Sequence, residues 1–348
     1  MELTKRQYKI FNFIQEKQSV KRADIEAYIN SIEEVSKITV LRDLDILLGQ
    51  KLIKKSGQAR NIVYSSFNDN EILRKYNVEE YFRTETDIRV IKYSQFNFSI
   101  FEKLNNIFTK SELNGLEKTN KLFIHKTQKL TPTILKKEFE RLMIELSWKS
   151  SQIEGNTYSL LDTEILIKEN IEAQGHKKEE AVMILNHKKA LEYIFENKDY
   201  FRILTIKKLE ELHAILTNSL NVSKGLRKSP VGIVGTNYKP LSNQHQIKEA
   251  VEKTIKKIND IQNPVEKALV TVLMISYIQP FEDGNKRTGR ILANAVLLAN
   301  NHCPLSYRSI DEKEYKKAVI IFYENNSLDY FKNLFIEQFK FAVDKYFQ

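Results

Sequence analysis

Residues that interrupt regular structure are scarce in this chain: ten Gly and six Pro among 348 residues, less than half of average usage, which argues against sandwiches, barrels and low-complexity tails and favours long helices. A single cysteine, Cys303, excludes an internal disulfide and makes a reducing cytoplasm the expected compartment. No long hydrophobic run is present. The longest, Ala268 to Ile278, falls short of the roughly 20 residues a membrane-spanning helix needs, and MELTKRQYKI at the start has no apolar signal segment. Neither a membrane partner nor secretion is expected. What is present is length for two or three domains, 42% hydrophobic and 29% charged residues, and an excess of Lys+Arg (55) over Asp+Glu (45) that favours anionic partners without choosing among them.

Residues 1–66 are expected to form one small domain. Thr4 and Gln7 have capping-box spacing, followed by Ile10, Phe11 and Ile14 at helical period. A second helix is expected over 22–29, burying Ala23, Ala27 and Tyr28. A third follows N-cap Ser36, burying Val40, Leu41, Leu44, Leu47 and Leu48 before Gly49. Its polar face carries Lys37, Thr39, Arg42 and Asp43, and a hairpin of strands 52–55 and 61–65 turns at Ser56-Gly57-Gln58. This order resembles the N-terminal winged helix domains of bacterial regulators. The resemblance implies docking on double-stranded DNA, with Lys37, Thr39 and Arg42 at the major groove and Lys54, Lys55 and Arg60 on phosphates. A basic surplus of only four up to Ser65, with Asp43 and Asp45 near that face, leaves a protein-interaction module equally open.

Residues 67–130 read as a polar, aromatic helical connection. From Pro132 onward, amphipathic helices are expected at 134–150, 161–173, 178–196, 205–220, 246–261, 264–278, 285–299, 311–325 and 328–346. One segment breaks that texture: Gly225 to Leu241, with three Gly, two Pro and the apolar Val231, Ile233 and Val234, is expected to be a loop or small β-hairpin flap that includes Gly235 and Thr236.

The chemistry concentrates in Gln279-Pro280-Phe281-Glu282-Asp283-Gly284-Asn285-Lys286-Arg287-Thr288-Gly289-Arg290, set between two apolar helices. Asp-Gly-Asn is a tight turn opening onto a helix N-terminus, whose bare N–H groups and dipole, with Lys286, Arg287 and Arg290, make a phosphate cradle; Asp283 can hold Mg²⁺ against the phosphates. A solvated basic first turn is the alternative, but cations are disfavoured there and need an anion to offset them. A nucleoside polyphosphate such as ATP is the implied ligand.

This run resembles the signature of Fic (Fido) domain proteins, His-x-Phe-x-Asp/Glu-Gly-Asn-Gly/Lys-Arg-x-x-Arg, at every defined position except the first, where Gln279 replaces the histidine. Ser150-Ser151-Gln152-Ile153-Glu154-Gly155-Asn156 resembles the family's inhibitory helix motif, Ser/Thr-x-x-x-Glu-Gly/Asn. The resemblance implies a mainly α, Fic-fold helical core over 131–348 with its inhibitory helix near 145–156. It implies ATP and Mg²⁺ as cofactors, Asp283 as metal ligand, and Gly284, Asn285 and Lys286 lining an anion hole. It also implies that Arg287 and Arg290 reach the outer phosphates, that Ile233, Val234, Gly235 and Thr236 belong to the flap, and that AMP passes from ATP to a Ser, Thr or Tyr hydroxyl of a target protein. Ser150 and Glu154, four residues apart, share one helix face, and the resemblance names Arg290 as the guanidinium they engage, which would restrain the enzyme.

Gln279 changes the mechanism. A hydroxyl nucleophile needs a positioned base, typically worth 10²–10⁴-fold, and a primary amide has no lone pair that titrates near neutrality. None of the histidines at 125, 176, 187, 213, 245 and 302 falls in the motif, and Glu282 reads as a solvated loop carboxylate. The expected protein is therefore an auto-inhibited Fic-type adenylyltransferase, inactive or weakened at Gln279. A nucleotide-binding transcriptional regulator or pseudoenzyme, and a Fic-type phosphotransferase suggested by Lys286, remain as alternatives, and a homodimer is compatible with the sequence.

Overall fold

The computed structural model describes residues 3–17, 19–58, 61–67 and 70–348; Arg60, expected on phosphates, lies outside them. The chain divides into two compact units, Met1–Val90 with Asn326–Tyr330, and Ile91–Asn325 with Phe331–Gln348. Among the described residues no helix is long and apolar enough to cross a membrane.

The first unit runs α1 (Lys5–Lys17), β1 (Val20–Lys21), α2 (Arg22–Asn30), α3 (Lys37–Gly49), β2 (Ile53–Ser56), β3 (Val63–Ser66) and the short α4 (Val78–Tyr81). The three strands form an antiparallel sheet in the order β1-β3-β2; β1, two residues long, gives no period in the sequence. Thr4 and Gln7 cap α1 reciprocally, with Thr4 N donating to Gln7 Oε1 (2.9 Å) and Gln7 N to Thr4 Oγ1 (3.3 Å). Ile10, Ile14, Ile25, Ile29, Val40, Leu44 and Leu47 build the core. Two expectations are corrected here. On α2 the buried pair is Ile25 and Ile29, while Ala23 and Ala27 are exposed, because the larger side chains claim the inward face. Asp43 leaves the polar face: it is 3% exposed and accepts from Arg6 Nε (2.6 Å) and Gln7 Nε2 (2.9 Å), so α1 neutralises it.

The second unit comprises α5 (Ile100–Lys103), α6 (Lys110–Lys129), α7 (Pro132–Ile153), α8 (Leu160–Glu169), α9 (Lys178–Glu196), α10 (Ile206–Leu216), α11 (Gln244–Asp260), α12 (Pro264–Ile278), α13 (Asn285–Ala299), α14 (Glu312–Asn325) and, from Phe331, α15 (Asp329–Lys345). Part of the expected connection is thus the long α6, started by a capping box between Thr109 and Glu112; only Leu116, Asn120 and Phe123 of it are buried, which blurs its period. α12 is buried on every side from Val265 to Ile278, which explains an apolar run without amphipathic period. α13 lies against it so closely at Gly289 that a Cβ there would sit 3.2 Å from the Val272 carbonyl oxygen.

The flap is a loop, not a hairpin. No strand is assigned between Gly225 and Leu241; the one bridge there joins Lys239 to Gln95. Pro230, Gly232 and Gly235 interrupt any ladder, and side chains hold the segment instead. Buried Arg227 donates from Nε to Gln279 O (2.6 Å) and from Nη1 to Ser229 O (2.7 Å), while Glu324 Oε1 accepts from Thr236 Oγ1 (2.8 Å) and Asn237 N (3.2 Å). Tyr238 OH donates to Tyr277 O (2.8 Å).

Candidate functional site

The turn between α12 and α13 is set by two left-handed residues, Gln279 (φ 51, ψ 60) and Gly284 (φ 77, ψ 5). Gly284 is required twice over: its φ suits glycine, and a Cβ would meet Thr217 Cγ2 at 3.1 Å. Asn285 staples the loop, accepting from Phe281 N (2.8 Å) and donating from Nδ2 to Phe281 O (2.8 Å) and Gln279 Oε1 (3.0 Å). Phe281 is fully buried, stacked at 3.7 Å on the His213 ring. His213 Nε2 donates to Asp283 O (3.0 Å); burial pushes its pKa down to about 4, so it does this as a neutral ring.

α13 begins without a side-chain cap, leaving its first N–H groups bare. Lys286 is half-buried, Arg287 is 2% exposed and Arg290 fully buried. Each arginine meets a carboxylate. Arg287 Nη2 donates to Asp283 Oδ2 (2.9 Å), while Arg287 Nη1 is buried with no hydrogen-bond partner among the described residues. Arg290 donates from Nη2 to Glu154 Oε1 (2.9 Å), and Lys286 Nζ donates to Glu154 Oε2 (2.9 Å). Glu154 caps the C-terminus of α7. Ser150, one turn earlier, presents Oγ to Arg290 Nε (2.9 Å) and its carbonyl oxygen to Arg290 Nη2 (2.9 Å); Tyr315 OH lies 3.4 Å from Nη1. Burial alone would raise the Glu154 carboxyl, but Arg290 and Lys286 outweigh it and hold it at about 2.

Gln279 is engaged at both ends of its amide. Nε2 donates to Ser276 O (2.6 Å) and Oε1 accepts from Asn285, so the side chain, 8% exposed, is a fixed part of the turn. A cavity of about 430 Å³ opens above, walled by Glu154, by Gln279 and Glu282 to Lys286, by Val231 to Val234 of the flap, and by Tyr315, Val319 and Tyr323 of α14. Ile233 and Val234 therefore line it, whereas Gly235 and Thr236 do not. Nor do Arg287 and Arg290, whose carboxylate partners Asp283 and Glu154 occupy the wall. Sequence reasoning missed His213, Tyr315, His187 and Arg227. A single histidine or tyrosine on an amphipathic helix carries no signal, but an arginine in an otherwise Gly/Pro-rich loop does.

In the first unit, Lys37 and Arg42 are exposed on α3 and Lys54 on β2. Thr39 is half-buried, its hydroxyl 2.9 Å from that of N-cap Ser36.

A model of the Fic/DOC family matches residues 203–297, from the approach to α10 through most of α13. The protein adenylyltransferase Fic of Nematostella vectensis is 27% identical over 209 residues, 57% of this chain and 47% of that protein. The chain thus spans about half the length of this relative. Fic-1 (residues 134–508) from C. elegans superposes with a TM-score of 0.60 at 19% identity, over 68% of this chain and 71% of that one. A Fic domain containing signaling protein from Bacteroides thetaiotaomicron gives 0.56 at 21% identity, over 67% and 94%. At such identities the two structures speak for the fold alone, and the family match marks a Fic/DOC domain within the region 203–297.

Proposed function

We propose that the cavity at the start of α13 binds MgATP and that the domain is built for transfer of AMP to a hydroxyl of a target protein, restrained by Glu154. The observation that carries this reading is Arg287. A guanidinium 2% exposed, paired with Asp283 through Nη2 but with Nη1 lacking any partner among the described residues, beside an uncapped helix N-terminus, has donors left for a further anionic oxygen. Glu154 satisfies the neighbouring Lys286 and Arg290 as a phosphate oxygen would, so the carboxylate and an outer phosphate compete for the same donors.

The residues fit a magnesium ion brought with the nucleotide. Mg²⁺ commonly takes one or two carboxylates plus phosphate oxygens and water, and Asp283, 68% exposed and on the cavity wall, is such a carboxylate. Bound there, the ion would neutralise phosphate charge. The chain's own part is to orient: Asn285 fixes the loop, His213 holds the Asp283 carbonyl, and α13 offers its N–H groups. What it lacks is a base at position 279, because the Gln279 amide is committed to Ser276 and Asn285 and cannot titrate. That observation also supports a second reading, a pseudoenzyme that binds nucleotide without turnover.

The proposed organisation is a winged helix over 1–66, a connection over 67–130 and the Fic domain over 131–348. Exposed Lys37, Arg42 and Lys54 support a double-stranded DNA partner for the first, and a single buried cysteine suits a cytoplasmic protein. Calorimetry with MgATP tests the nucleotide site: binding should be measurable, stronger in Glu154→Gly, and lost in Arg287→Ala and Asp283→Ala. Unchanged affinity in both alanine variants would reject the assignment.

A further inference from the structure

The segment carrying Ser150 and Glu154 is gripped at both ends by α9, and His176, just ahead of that helix, adds a contact of 2.8 Å from Nδ1 to Thr157 Oγ1. Glu180 and His187 are seven positions apart, two turns, and so share one face of that helix. At one end His187, fully buried, has Nδ1 2.9 Å from Met183 O, and a carbonyl oxygen can only accept; Nδ1 therefore carries the hydrogen and Nε2 the lone pair. Ser150 Oγ, 2.9 Å from Nε2, must donate to it, which leaves the serine oxygen's lone pairs for Arg290 Nε at 2.9 Å. The direction of the whole chain, Arg290 to Ser150 to His187 to Met183, is dictated by one tautomer. Burial first, and the nearby Arg287 and Arg290 charges after it, push the His187 pKa down to about 3, so the ring stays neutral. At the other end Glu180 Oε2 accepts from Thr157 N and Thr157 Oγ1, both at 2.7 Å, and Glu180 O accepts from Asn156 Nδ2 (2.9 Å).

We propose that α9 is the backing of the inhibitory segment, with His187 and Glu180 as positioning residues that hold Ser150 and Glu154 against Arg290 without touching nucleotide themselves. The inference rests on reading Glu154 as the competitor of an outer phosphate. It adds that the restraint is set from behind: displacing α9 from α7 releases Arg290 even though both inhibitory side chains remain. Either α9 residue alone should then control how often the segment opens.

The test uses His187→Phe, which keeps a ring but loses acceptor and donor, Glu180→Ala at the partly exposed end, and His187→Gln, which keeps an acceptor near the Nε2 position. Hydrogen exchange of the nucleotide-free protein reads the segment directly. The amides of Glu154, Gly155 and Asn156, bonded to Ser151 and Gln152 carbonyls, should exchange about tenfold faster in His187→Phe and Glu180→Ala, the scale of one missing buried hydrogen bond. His187→Gln should recover most of the protection. MgATP affinity should rise by a similar factor in the first two variants and be unaltered by them in a Glu154→Gly background, since nothing is left to release. A merely structural role would lower affinity in both backgrounds and overturn the proposal. So would wild-type exchange at 154–156 in both variants, whatever nucleotide does. Should Glu154→Gly itself leave affinity unchanged, the competition reading fails, a result separable from the exchange data. Should His187→Phe not fold, Glu180→Ala carries the same two readouts.

Discussion

Replacing Glu154 by glutamine keeps the shape of the side chain and removes its charge, and the structure says what that costs. Arg290 is fully buried and its only anionic partner among the described residues is Glu154; its other neighbours are Ser150 and Tyr315. The amide can accept from Arg290 or from Lys286 but must turn its NH₂ toward the other cation. Breaking a buried ion pair by removing one partner costs about 3–5 kcal/mol. Here the carboxylate is 17% exposed at a cavity wall, and water reaching it reduces the loss to about 2–3 kcal/mol. For a domain of this size each kcal/mol moves the melting temperature by about 2–4 °C, so Glu154→Gln should melt about 4–12 °C lower. The same variant should gain more from nucleotide. MgATP at 100 times its Kd adds about 2.7 kcal/mol through binding, and because affinity is higher once the carboxylate is gone, a given concentration should raise the melting temperature further in the variant than in the parent. Thermal unfolding of both proteins with and without MgATP makes the comparison. A drop under about 1 °C, or equal nucleotide shifts, would refute the reasoning.

Two further outcomes are expected. The Glu154 carboxyl is held at about 2 against an ordinary 4.5. Its contribution is therefore complete above pH 4.5 and disappears as pH falls toward 2, so the stability gap between parent and Glu154→Gln should be flat from about pH 8 to 5 and narrow below 4.5; a gap that closes near about pH 6 would contradict the ion pair. In the first unit, Lys37→Ala, Arg42→Ala and Lys54→Ala should each weaken duplex binding in a shift assay, with the logarithmic salt slope falling by about one for each phosphate no longer neutralised; no binding to genomic fragments at low salt would leave a protein-interaction role.

Much of this was legible in the sequence, and the parts that were not share physical causes. Ser36, Thr4 and Gln7 announce their helices because caps act locally. Most helices of the second unit from α7 to α15 follow from apolar period, α12 from its unbroken apolar run, and the turn at Gly284 from residue chemistry alone. α6 escaped because so few of its residues are buried. The flap misled because Val231, Ile233 and Val234 suggest a strand, whereas Val234 is 98% exposed and the segment is held by Arg227 and Glu324, long-range partners that no local pattern announces. Asp43 looked like surface until Arg6 and Gln7 supplied its partners across the small core. The pairing of Ser150 and Glu154 with one guanidinium was suggested by spacing and family resemblance, but their support by His187 and Glu180 is a tertiary fact.

The central claim is that the nucleotide site is complete except for a base at 279 and a release at 154. Incorporation of label from ATP carrying it at the α-phosphate, into a lysate of a cell lacking the protein, tests it with four chains: the parent, Glu154→Gly, Gln279→His and the double variant. Strong transfer by the double variant is expected, with Gln279→His restrained and Glu154→Gly nearly silent. Silence from the double variant, or label arriving only from γ-labelled ATP, would contradict the account.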